Sequence, residues 1–155
     1  MNFQPPLSPL QLKDHRFTNL RVKFIEGGSA TAEPSLKQEI GFVAVPNTTD
    51  EWQLVLTLQL GSSDASKPFL YDVEIQVHGI VQVSEGFPAD RKEQLALVNG
   101  FSMLYSAARE MLLNVTARSG GAVSLPTLSF VALVQDALKQ KSEAQAQPPP
   151  PAVTA

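Results

Sequence analysis

Apolar and polar residues alternate with a period of two through the first half of this chain, and the period lengthens toward 3.6 after Pro88. In LRVKFIE, Leu20, Val22 and Phe24 point one way and Arg21 and Lys23 the other, which predicts a half-buried strand. Leu36 to Val45 alternates more loosely. Ile40, Phe42 and Ala44 share one face there, and Lys37, Glu39, Val43 and Val45 the other. The third segment, EWQLVLTLQL, is the most regular, with Trp52, Leu54, Leu56, Leu58 and Leu60 in one row. The fourth runs from Phe69 to Val83. Its predicted buried row is Phe69, Tyr71, Val73, Ile75, Val77, Val81 and Val83; Asp72, Glu74, Gln76, His78 and Gln82 form the wet row. Gly79 falls on the buried row, where a missing side chain predicts a bend, a bulge or a closely packed helix. Turn residues in PNTTD and GSSDASKP favour antiparallel, hairpin-type pairing.

After Pro88, Asp90 followed by Glu93 matches a capping box and predicts a short helix through about Val98. Asn99-Gly100 reads as a stop or kink, and a longer helix follows over roughly Phe101 to Ser119. Phe101, Leu104, Tyr105, Ala108, Met111, Leu112 and Val115 recur at helical spacing, and Met103, Ala107 and Leu113 widen the apolar arc. A helix so apolar is covered on more than one side. One sheet covers one side, so a second subunit is expected on the other, with Leu104, Ala108, Arg109, Met111, Leu112 and Val115 as candidate interface residues. Arg109-Glu110 is either a partly exposed salt bridge or a pair held at that interface. GAVSLPTLSF is an extended apolar connector, and a last amphipathic helix spans about Val131 to Lys141. The expected fold is α+β: a four-stranded antiparallel sheet followed by a long helix and a shorter C-terminal helix, both packed on one face.

Composition narrows the function. Of 155 residues 43% are hydrophobic and 17% charged, below the roughly 25% charged of an average soluble domain. A net charge of -3 lacks the basic footprint of a nucleic-acid binder. The absence of cysteine excludes disulfides and thiolate chemistry. His15 and His78 are far apart, and Asp14 and His15, adjacent on a strand, point to opposite faces. No phosphate loop, carboxylate pair or metal motif appears, so neither an enzyme nor a cofactor is expected. Residues 1–11 read as a flexible segment, 12–141 as the domain, and 142–155 as a disordered Gln/Pro-rich tail holding Pro148 to Pro151. Without a secretory signal or an 18-residue apolar run, the expected location is the cytoplasm. What is unusual is surplus apolar surface: Phe42, Val43, Val45, Leu125, Leu128 and Phe130 lie in or beside connecting segments. Each singly reads as core packing; together they are a candidate groove for apolar segments of another chain.

Two stretches carry a family resemblance. VNGFSMLYSAAREMLLNVTARSGG (Val98 to Gly121) followed by LPTLSF (Leu125 to Phe130) resembles the SecB-type protein-export chaperones, especially their divergent SecB-like branch. The matching motifs are Ala108-Arg109-Glu110, then Arg118 with Gly120 or Gly121, then Leu125-Pro126 with Phe130. FLYDVEIQVHGIVQV resembles the family's fourth strand through Gly79-Ile80, and LKDHRF (Leu12 to Phe17) resembles the opening of its first. The resemblance implies a homotetramer, a dimer of dimers, and an ATP-independent holdase that binds apolar segments of unfolded precursors and passes them to the translocase motor SecA. It also implies a SecA-docking face of acids, where Asp14 and Glu74 match and Thr18 stands in place of a third acid. Some SecB-like proteins instead guard the antitoxin of a toxin–antitoxin pair. Outside this class, a small-molecule or lipid-binding domain and a plain oligomeric scaffold remain as alternatives.

Overall fold

The period-two segments become four strands of one antiparallel sheet. The structure, a computed structural model, describes residues 6–146. Its elements are β1 (Leu10–Phe24), β2 (Pro34–Ala44), β3 (Glu51–Ser62), β4 (Tyr71–Val83), α1 (Ala89–Ala117) and α2 (Phe130–Ala146). The strands lie in the order β1-β4-β3-β2, so β1 and β2 are the two edges. The rows read from the sequence meet across the sheet: Leu54, Leu56, Leu58 and Leu60 pair with Gly79, Val77, Ile75 and Val73. These side chains, with Leu97, Phe101, Leu104, Ala108 and Leu112 of α1, form the core.

β1 starts ten residues earlier than Leu20, where alternation first becomes clear. The reason is two register shifts, between Leu12 and Asp14 and between Phe17 and Asn19. Each shift adds a residue and breaks the alternation in sequence, yet restores it in space. Leu10, Leu12, His15, Phe17, Leu20, Val22 and Phe24 all lie opposite the inner row of β4. Leu10, expected in a flexible segment, is a core residue only 3% exposed.

The helical half differs from the expectation at Gly100. α1 is one uninterrupted helix of 29 residues, begun by Pro88 at its N-cap with no side-chain cap bond. Gly100 marks a close approach: a Cβ there would sit 2.4 Å from Leu54 Cδ1 and 3.2 Å from Val81 Cγ1. Gly79 does the same from the sheet, where a Cβ would sit 2.7 Å from Leu104 Cδ2. Two missing side chains thus let α1 lie tightly along β4. α2 runs five residues past Lys141, to Ala146, and the prolines Pro148 to Pro151 lie outside the described residues. No helix among the described residues is long and apolar enough to cross a membrane.

One ion pair fixes the start of α1 to the β2–β3 turn. Lys92 Nζ lies 2.5 Å from Asp50 Oδ1, and each side chain is only 12% exposed. Removing one partner leaves a poorly hydrated charge behind. Lys92→Ala is expected to cost about 2–3 kcal/mol, read as a lower urea midpoint with an unchanged slope.

Candidate functional site

Helices that cover one face of a sheet leave functional surface where they stop. α1 packs over β1, β3 and β4, and no helix among the described residues packs on β2 in the same way. Nevertheless, Leu36, Gln38, Ile40 and Phe42 of β2 stand in register with the buried Leu60, Leu58, Leu56 and Leu54. All four are half-buried. The apolar face of the core therefore continues past α1 onto the edge strand as a partly open shelf.

α2 borders this shelf. At its start Phe130 stacks on Phe101 with ring centres 6.0 Å apart and meets Tyr105 edge-on at 5.7 Å. The Tyr105 hydroxyl donates to the Pro126 carbonyl at 2.6 Å and so pins the connector to α1. Farther along, Lys141 Nζ stands 5.4 Å from the centre of the Phe42 ring and 3.0 Å from Glu93 Oε1. Between these points only Phe130 and Val134 of α2 are buried. Burial pushes the Tyr105 phenol above its ordinary value of 10.0, against a smaller opposing pull from Arg109. The unfolded chain ionises this phenol first, so its contribution is complete below about pH 10 and is lost as pH rises through the higher folded value. Tyr105→Phe is expected to remove that alkaline loss while costing about 1 kcal/mol at neutral pH for the missing bond. Urea unfolding at a series of pH values on both sides of the phenol's ordinary value checks this.

A second apolar strip lies on the other flank of α1. Phe101 and Tyr105 face α2, and at helical spacing Met103 and Ala107 are turned roughly half a circle away from them. The inner row of β1 is also left open, with Leu20 40% and Phe24 55% exposed. Met103 of α1 is exposed as well, and so is Leu113, which opens on the connector side beside Ser124.

These positions revise the sequence-based sites. Among the expected groove residues, Leu125 and Phe130 are buried core. Val43 stands on the outer face of the sheet, Val45 is half-buried in the β2–β3 turn, and Phe42 and Leu128 are partly open and pack against the core. The six do not line one groove, because neighbours on a strand point to opposite faces. Among the expected interface residues, Leu104, Ala108 and Leu112 are fully buried against the subunit's own sheet. Arg109, Met111 and Val115 keep some surface. No ion pair joins Arg109 to Glu110; they share an open recess with Ser106, Leu113 and Ser124.

The outer face of the sheet carries the two expected docking acids at opposite ends. Asp14 lies across from Ile80 and Glu74 across from Arg21, roughly 20 Å apart at the usual rise of a strand. Glu74 accepts hydrogen bonds from Asn19 at 2.6 Å and Arg21 at 3.4 Å, and Arg21 also reaches Asp72 at 3.5 Å. Thr18 donates to Gln76 at 2.8 Å, which in turn donates to Thr57 at 3.3 Å. This face is a ladder of hydrogen bonds and ion pairs in which Arg21 offsets Glu74 and Asp72.

The family described as Preprotein translocase subunit SecB matches residues 9–141, a span that takes in all four strands, α1 and most of α2. The chain belongs to the SecB family. Its class is accordingly that of a chaperone. Among solved structures, it is similar to the SecB-like chaperone Rv1957 of Mycobacterium tuberculosis in complex with a ChAD peptide from the Rv1956 HigA1 antitoxin. That likeness has a TM-score of 0.60 at 16% identity and covers 77% of this chain and 91% of the other. A protein of unknown function from Streptococcus agalactiae is also similar, at a TM-score of 0.46 and 14% identity, covering 76% of this chain and 97% of that one. No curated protein matches. In this SecB-family chain the open surfaces missed by sequence reasoning are Leu36 and Ile40 on one edge and Phe17, Leu20 and Phe24 on the other. Their signal was an apolar row on an edge strand that no predicted helix reaches.

Proposed function

We propose that this SecB-family protein is an ATP-independent holdase that binds apolar segments of unfolded polypeptides along the β2 shelf. The observation that carries this reading is the half-buried row Leu36, Ile40 and Phe42, continuous with the core, beyond the reach of α1 and only bordered by α2 at Phe42. Full burial of such a side chain is worth about 1.5–3 kcal/mol, and part of that remains to be gained from a client. Contact by burial is tolerant of sequence, and only an unfolded chain can extend along an 11-residue strand. The holdase acts in the cytoplasm as a homotetramer, with the open flank of β1 and α1 as the contact between subunits.

The test is suppression of aggregation of a chemically unfolded client without ATP. Phe42→Asp is expected to reduce client affinity at least tenfold while the melting temperature moves only slightly, because the ring is half-exposed. Full holding by that variant would remove the shelf from the mechanism. A small-molecule or lipid role has weaker support, since the recesses of ligand size are open clefts.

A second reading, guarding an antitoxin, is favoured by the likeness to a SecB-like chaperone that holds an antitoxin peptide. Both readings use the same shelf, and neighbouring genes for a toxin and an antitoxin would select the second. Delivery to SecA draws less support. It calls for an acidic platform, and here Glu74 is already engaged by Asn19 and Arg21.

A further inference from the structure

The β2 shelf contains one polar position, and it is not at the rim. Gln38 stands on the inner row between Leu36 and Ile40, in register with Leu58, which is 1% exposed. Its side chain is half-buried. The side chains of the outer face bond to one another, as Thr18 does to Gln76 and Asn19 to Glu74, whereas no side-chain hydrogen bond among the described residues includes Gln38. An amide carries two donors and an acceptor. Water satisfies them while the shelf is open, and a client that covers the shelf removes that water. An apolar client residue there strands the amide, whereas a hydroxyl or amide restores a bond.

We propose that Gln38 is a specificity-determining residue of the client site, selecting extended segments that place a hydrogen-bonding side chain between apolar ones on one face. This rests on the shelf being the client site. Successive residues of a strand alternate faces, so the selected pattern is apolar, polar, apolar, apolar at every second position of the client, matching Leu36, Gln38, Ile40 and Phe42. A site built to bond a polar group rejects an isostere without it, because its own group is left unpaired.

Two fluorescent peptides test this, Val-Lys-Thr-Lys-Val-Lys-Val and Val-Lys-Val-Lys-Val-Lys-Val, which differ by a hydroxyl for a methyl at one shelf-facing position. The intact protein is expected to bind the threonine peptide about three- to tenfold more tightly by fluorescence anisotropy. Gln38→Leu is expected to abolish or invert that preference, and its thermal melt reports that it stays folded. Equal binding of the two peptides by the intact protein, or an unchanged preference in Gln38→Leu, overturns the role of Gln38. Ile40→Asp separates the two readings. If it abolishes binding of both peptides, the shelf stands whatever Gln38 does; if it leaves both unchanged, the shelf itself is wrong and the role of Gln38 falls with it.

Discussion

Phe130→Ala is expected to lower stability by about 3–5 kcal/mol, the usual cost of deleting a buried aromatic ring. For a domain of this size that is a fall of roughly 10 °C in melting temperature. The ring is only 2% exposed, stacks on Phe101 and meets Tyr105 edge-on. It is one of only two buried residues of α2. Its loss therefore removes core volume and also the anchor that sets the direction of α2. Amide exchange is expected to speed up along α2 first, because Val134 is then the one fully buried side chain left on that helix. The same substitution decides between two meanings of a hydrophobic residue beside a connector. Were Phe130 a groove-lining side chain, as its sequence position suggests, the melt would stay put and only client affinity would drop.

That contrast shows what the sequence can express. β3 and β4 were legible almost to the residue because every position alternates between a buried and a wetter face, as the pattern of β4 shows. β1 was legible only from Leu20 onward, since its two register shifts hide the alternation of Leu12, His15 and Phe17. Gly100 misled for a different reason. Glycine after asparagine is a common helix stop, and only the packing partner Leu54, distant in sequence, shows why a glycine belongs inside α1. The candidate site was the least legible part. Phe42 and Val43 are equally apolar neighbours, but pairing with Leu54 and Gln53 sends one to the shelf and the other to the outer face. Likewise Leu104 and Met103 look interchangeable as helix residues, yet Leu104 fills the space over Gly79 while Met103 is 37% exposed. The surplus of apolar residues could be seen by composition; which of them were surplus depended on where the helix layer ends.

The exposed side of β1 gives the other large expected effect. Replacing Leu20 and Phe24 together by aspartate is expected to break the proposed assembly without unfolding the subunit. Both side chains lie on the inner row, paired with Ile75 and Tyr71, and are 40% and 55% exposed in the single chain. Because each keeps much of its surface, the subunit loses little when they become charged. A symmetric contact is affected far more. Each residue occurs once in each copy of a two-fold interface, so the pair of substitutions places four carboxylates in one contact. Every unpaired charge taken out of water there costs several kcal/mol, enough to raise the dissociation constant by about a thousandfold or more. Native mass should fall from that of the proposed tetramer to a smaller species while the circular-dichroism melt remains cooperative. The Phe42→Asp variant is the necessary contrast, since it lies on the opposite edge strand and should keep its mass while losing clients. If Leu20→Asp/Phe24→Asp kept the same mass as the unmodified protein, the subunit contact would have to lie elsewhere, with the outward residues Glu110 and Leu113 of α1 the next to test.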